Sequence, residues 1–238
     1  MDKSNVLTFR NKNANDQPLL DLYINNEKIQ EKIYAKYLGV LFDHKLTWQY
    51  QIEKICTKLV KGNALLAKLR HFIPVNKIKS VYNSLIQPHL DYGNLSWGTA
   101  AITHLEKMEK LQNKSIRIIS FKNREDQANP LYIQQNILPL KANLVFNVCK
   151  SIWKFIHSFL PSPTAELFEN HGVTLSQRIS LREVRKLSSP TPYTSYGRQF
   201  IFHDGINNWN QILTDNIRTI ETINKFKKEL RGHLISLV

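Results

Sequence analysis

Between residues 5 and 42 the apolar side chains come in short runs separated by polar, Asn-rich stretches, a pattern that predicts strands. The expected strands are Val6-Leu7-Thr8-Phe9, Leu19 to Ile24, Glu27-Lys28-Ile29 and Lys36 to Phe42, with Asn25-Asn26 as a hairpin turn because Asn tolerates positive φ. After Asp43 the apolar spacing lengthens to the helical period. A helix capped by Thr47 is expected to run to about Arg70, a second to open near Pro74 and end at Pro88, and a break to follow at Asp91-Tyr92-Gly93. Two further long helices are expected over about Thr103 to Ile119 and Leu140 to Phe159, the second stopped by Pro161 and Pro163. The pattern is then mixed as far as Tyr196, with Ser188-Ser189-Pro190-Thr191-Pro192 as a linker. A strand-like run, Phe200-Ile201-Phe202, precedes an apolar stretch from Ile206 to Leu213. A last amphipathic helix, Thr219 to Leu237, carries Ile223, Phe226, Leu230 and Leu234 on one face. No internal repeat is visible. The expected fold class is α+β, mostly α: a small N-terminal antiparallel sheet over 1–46, helices over 47–160, an irregular stretch over 161–196, and a strand with helices over 197–238.

Composition sharpens this picture. Of 238 residues 42% are hydrophobic and 22% charged, which fits a packed protein and argues against disorder. Lys and Arg outnumber Asp and Glu by 33 to 19, a net charge of +14, so the field of the chain attracts phosphate polymers. Cys56 and Cys149 are the only cysteines and lie far apart, which excludes a disulfide framework or a Cys-based zinc site and points to a reducing, intracellular compartment, nucleus or cytoplasm. The first residues, Met1-Asp2-Lys3-Ser4-Asn5, lack the apolar stretch of a secretory signal. The most apolar long segment, Leu144 to Leu160, carries Asn147, Lys150, Lys154 and His157 at helical spacing, so no membrane partner is expected.

Two predicted helices carry aligned cations. On the Thr47 to Arg70 helix, Lys54, Lys58, Lys61 and Lys68 form one row beside the stripe Ile52, Ile55, Cys56, Leu59, Leu66 and Leu69. On the Thr103 to Ile119 helix, Lys107, Lys110, Lys114 and Arg117 form a second row, which Glu106 and Glu109 partly offset. Aligned like charges repel, so each row calls for open water or an external anion. A phosphate backbone satisfies that requirement without any reading of bases.

Metal-dependent phosphoryl transfer needs clustered carboxylates. Asp43, Asp91, Asp126, Asp204 and Asp215 stand apart from one another, and no Gly-rich phosphate loop, His-Glu-x-x-His helix or Gly-x-Ser-x-Gly elbow occurs. No catalytic residue, metal ligand or cofactor is assigned. Cys56 lies on an apolar stripe and reads as a core residue, as do Trp48, Trp97, Trp153 and Trp209.

Tyr37-Leu38-Gly39-Val40, followed by Asp43, Leu46 and Trp48, resembles the segment just after the palm of LINE-type, non-LTR retrotransposon reverse transcriptases of the jockey-like kind. Gln87-Pro88, Asp91-Tyr92-Gly93, Trp97-Gly98, Leu111-Gln112-Asn113-Lys114, Arg117-Ile118-Ile119, Gly205, Trp209-Asn210 and Phe226-Lys227 follow in the order of that family's carboxyl-terminal region. Gln51 stands where the family usually has His, and Ile212-Leu213 where it usually has Leu-Pro. The resemblance implies that Tyr37 to Val40 form a primer-side turn, that the Lys54 row lies on a thumb helix, and that a template-primer duplex of RNA and DNA is the partner. It implies that Asp2-Lys3-Ser4 is the tail of the palm motif, with Lys3 a residual active-site neighbour. The family's catalytic aspartates, which would use Mg2+, would lie before Met1, so palm and fingers become an intramolecular partner and no polymerase activity is expected of this chain alone. The alternative is a helical interaction module or a non-functional element remnant.

Overall fold

The computed structural model describes residues 5–9, 21–170, 173–175, 186–188 and 201–238. They form an α+β fold, mostly α, divided into two compact units: residues 1–93 with Ala100–Leu111, and Asn94–Thr99 with Gln112–Val238.

In the first unit the strands make two separate antiparallel hairpins. β1 (Tyr23–Ile24) pairs with β2 (Glu27–Lys28) through Asn25 and Asn26 at φ 48° and 65°, the expected Asn-Asn turn. β3 (Tyr34–Tyr37) pairs with β4 (Val40–Asp43), Tyr37 opposite Val40. The single strand expected over Lys36 to Phe42 is therefore a hairpin. Leu38 and Gly39 take φ 45° and 85° and reverse the chain, and glycine supplies that backbone without steric cost. Val6 makes only an isolated bridge to Glu31, so the strand expected from Val6 to Phe9 is absent, and Leu19-Leu20 lie outside the described residues.

α1 (Gln49–Leu69) buries Ile52, Ile55, Leu59 and Leu66, the stripe read from the spacing. Thr47 is not its effective cap. Its hydroxyl lies 3.4 Å from the Gln49 N–H and instead donates to Asp43, because Trp48 at φ 65° turns the chain just before the helix. α2 (Val75–Leu85) opens after Pro74 as expected, but Pro88 begins rather than ends a helix: α3 (Gln87–Asp91) holds it in the first turn, where its missing N–H costs nothing. Gly62 lets α1 approach Ile86, since a Cβ there would stand 2.6 Å from the Ile86 Cδ1.

The second unit begins with α4 (Asn94–Trp97) and takes in the last part of α5 (Ile102–Ile119). α6 (Ala128–Gln135) has no counterpart among the expected elements, whereas α7 (Leu140–Ile156) matches one. α8 (Ser162–Asn170) starts at the prolines that stop α7. β5 (Thr174–Leu175) and β6 (Leu187–Ser188) pair antiparallel. The strand-like run Phe200-Ile201-Phe202 is corrected: Ile201 and Phe202 open a helix, α9 (Ile201–Ile212), and Phe200 lies outside the described residues. Ile206, Trp209 and Leu213 continue at steps of three and four and draw the run into the helical period. A short helix with no expected counterpart, α10 (Asp215–Arg218), precedes the expected last helix, α11 (Ile223–Ser236), which starts four residues later than Thr219 because Thr222 has extended backbone. Phe226, Leu230 and Leu234 of α11 pack with Cys149, Ile152 and Trp153 of α7 and Trp209 of α9 in one core. All four tryptophans are buried. Residues 189–192 of the expected linker lie outside the described residues.

Candidate nucleic-acid interface

The β3–β4 turn stands over the first half of α1. Lys54 Nζ donates to the Gly39 carbonyl at 2.6 Å, and the Tyr92 hydroxyl donates to the Leu38 carbonyl at 2.5 Å. The Tyr92 ring also lies against Gly39, where a Cβ would come within 3.3 Å of its Cε1. Gln51, buried, accepts the Leu41 N–H at 3.0 Å and ties the following strand to the same helix. The turn is thereby fixed on three sides while Tyr37 and Leu38 remain 67% and 73% exposed.

Positive charge gathers here. Lys54 lies near Lys36 and Lys58, and burial, then these two cations, hold its ammonium below the usual lysine range. Burial and then Lys58 also lower the pKa of His89 on α3. Lys58, Lys61 and Lys68 are exposed on the face of α1 away from its buried stripe, and none forms a salt bridge with a described carboxylate. The predicted row is thus one face of the helix, although Lys54 spends one proton on the turn.

On α5 the same arrangement recurs. Lys107, Lys110 and Lys114 are exposed and form no salt bridge with a described carboxylate, whereas Arg117, partly buried, donates through Nε to the Asp126 carbonyl at 2.7 Å. Leu105, Met108, Ile116 and Ile119 face inward. Lys107 reaches Cys56 of α1 electrostatically and partly offsets the burial that raises that thiol's pKa. Asn63 of α1 donates to the Leu111 carbonyl at 2.9 Å. Lys3 lies outside the described residues.

Spacing alone did not single out Lys36, His89 or Gln51 for this site, and Tyr92 entered only through a quoted motif. The Tyr92 contact joins positions 54 apart, which no local pattern reports. Several other quoted motif residues prove to bind backbone or hydroxyl groups. Gln112 donates to the Leu138 carbonyl, Asn113 accepts the Tyr132 hydroxyl, and Asn210 exchanges two hydrogen bonds with the Leu187 backbone. Among the described residues no group of three or more His, Cys, Asp or Glu is placed to hold a metal ion, and no helix is long and apolar enough to cross a membrane.

No protein-family model matches the chain, and no solved structure matches it. The chain is similar to transposon polymerases. The chain is 31% identical over 121 residues to the probable RNA-directed DNA polymerase from transposon X-element of Drosophila melanogaster, which covers 50% of this chain and 13% of that protein. It is 30% identical over 165 residues to the RNA-directed DNA polymerase from mobile element jockey of Drosophila funebris, covering 67% and 17%. The Drosophila melanogaster jockey polymerase is 35% identical over 106 residues, covering 41% and 11%. The matched part of the chain thus spans less than a fifth of the length of these relatives. Over that part, the chain is a relative of the jockey-like non-LTR retrotransposon reverse transcriptases.

Proposed function

We propose that this chain is the thumb and carboxyl-terminal part of a retrotransposon RNA-directed DNA polymerase, and that it holds the backbone of a template-primer duplex on its basic helix faces. The observation that carries this reading is the set of exposed, aligned lysines, Lys58, Lys61 and Lys68 on α1 and Lys107, Lys110 and Lys114 on α5, without salt bridges to described carboxylates. Lys54 and Arg117 stand in the same rows, but each is already engaged by a backbone carbonyl, so the six exposed lysines are the phosphate contacts on this reading. Ammonium groups on a rigid helix neutralise phosphates and release counterions whatever the sequence. Residues 47–160 are on this reading the thumb and its connection, and Tyr37 to Val40 the turn on the primer side.

The test is fluorescence anisotropy of an RNA/DNA hybrid duplex titrated with the chain at several salt concentrations. The expected result is an affinity that falls by roughly 0.9 log units per log salt for each phosphate neutralised. Reversing Lys58 and Lys61 to Glu should weaken binding to every duplex sequence alike. Binding that is insensitive to salt, or a loss confined to one sequence, would count against backbone contact.

A second reading, an interaction module, draws on the exposed apolar side chains in and beside the two hairpins, Tyr23, Ile24, Ile33 and Tyr34 among them. Salt-independent self-association of the purified chain would favour it.

A further inference from the structure

A two-residue hairpin leaves the carbonyls of its central residues without partners in the ladder, and such groups are ordinarily left to water. In the Leu38-Gly39 turn neither is. The Gly39 carbonyl is taken by Lys54, 15 positions away on α1, and the Leu38 carbonyl by Tyr92, 54 positions away at the end of α3. Both donors belong to the same compact unit as the turn. The Tyr92 ring fills the space beside Gly39 that a Cβ would otherwise need. What the two bonds fix is a tip at which Leu38 and the adjoining Tyr37 are largely exposed, the Tyr37 ring meeting Phe42 edge-on at 6.4 Å.

We infer that Lys54 is a positioning residue and not a phosphate ligand: with Tyr92 it clamps the two free carbonyls of the Leu38-Gly39 turn and sets the direction in which Tyr37 and Leu38 are presented. That the presented tip meets a duplex rests on the function proposed above; the clamp itself does not. The electrostatic setting agrees with the assignment. Lys54 is partly buried and crowded by Lys36 and Lys58, so its charge is already disfavoured, whereas Lys58, Lys61 and Lys68 are open to water and to a phosphate. An ammonium held at 2.6 Å by a carbonyl is oriented toward the protein. Three cations of the α1 row remain for the backbone of a nucleic acid.

The experiment compares the full chain with K54M, K54R, Y92F and K58M in two measurements: backbone hydrogen exchange over residues 34–43, and affinity for an RNA/DNA hybrid duplex across a salt series. K54M and Y92F should each speed exchange across the turn several-fold. Each should lower affinity about threefold to tenfold at every salt concentration, the scale of one lost hydrogen bond, with the salt slope unchanged. K54R keeps a donor of similar reach and should return exchange toward the wild-type rate. K58M should leave exchange alone and make the slope shallower by about 0.9. A K54M slope shallower by that amount, with exchange unchanged, makes Lys54 a phosphate ligand and overturns the inference. Unchanged exchange in both K54M and Y92F overturns the clamp. If the wild-type chain binds no duplex, the proposed function fails while the exchange comparison still decides the role of Lys54.

Discussion

Asp43 Oδ2 accepts the backbone N–H of Trp48 at 2.7 Å, so the last residue of the β3–β4 hairpin holds the residue from which α1 starts. Its other oxygen accepts the Thr47 N–H, the Thr47 hydroxyl and the Lys45 N–H at 2.9, 3.1 and 3.2 Å. The carboxylate is 2% exposed, and the indole of Trp48, itself buried, meets the Phe42 ring edge-on at 5.2 Å. Asp43 is a structural joint that caps the approach to the helix from five residues away.

Replacing Asp43 by Ala strands the buried Trp48 N–H and removes the acceptor that holds Trp48 in a left-handed conformation. The expected cost is about 2 to 4 kcal/mol, because a buried donor loses a charged partner, and D43N should cost less because one oxygen is kept. Urea denaturation followed by tryptophan fluorescence measures both. A D43A midpoint equal to that of the wild type would show that the turn before α1 stands without its carboxylate.

Two glycines should respond in opposite directions to the same substitution. At Gly98 a Cβ would lie 2.5 Å from the Asn94 carbonyl oxygen and 2.9 Å from Leu144 Cδ2. The backbone atom cannot move aside, so G98A should destabilise by about 2 to 3 kcal/mol. At Gly232, inside α11 and exposed, a Cβ would meet nothing within 4 Å. There G232A should stabilise by about 0.5 to 1 kcal/mol, since alanine restricts the unfolded chain and favours the helix. Thermal denaturation of the two variants beside the wild type reads the pair, and a stabilised G98A would mean that α4 and α7 pack less closely than described.

The contrast between these residues shows what a sequence can carry. The stripe of α1 was legible because burial on one helix face repeats every three or four positions, and the lysine rows of α1 and α5 were legible because cations keep to the exposed face of the same period. α6 was not, because its eight residues, Ala-Asn-Pro-Leu-Tyr-Ile-Gln-Gln, are too few for the buried positions Ala128, Leu131 and Tyr132 to repeat, and Pro130 stands among them. The run through Lys36 to Phe42 looks like one strand until the backbone at Leu38 and Gly39 is known. Of the site, the charges could be read and their partners could not. Lys54 and Lys58 are equivalent by spacing, yet only Lys54 has a carbonyl within reach, supplied by a turn that folding brings to it.

Cys149 gives a prediction in pH. It sits fully buried in the core with Ile152, Trp153 and Phe226, and burial pushes its thiol up to about 12 from an ordinary value near 9.0. Above pH 9 the unfolded chain gives up this proton while the folded chain keeps it, so the unfolded state binds fewer protons and stability falls as pH rises. Between pH 9 and 12 the loss from this one group is about 1.4 kcal/mol per pH unit. C149A removes the titration and creates a small cavity whose cost does not depend on pH. At pH 8 the variant should therefore be the less stable protein, and the gap should narrow steadily above pH 9 in guanidinium denaturation curves. Native Cys149 should also resist a thiol reagent at pH 8 that slowly labels the half-buried Cys56, and should react only on unfolding. Parallel stability curves for wild type and C149A from pH 8 to 10.5 would show that Cys149 reaches water in the folded protein.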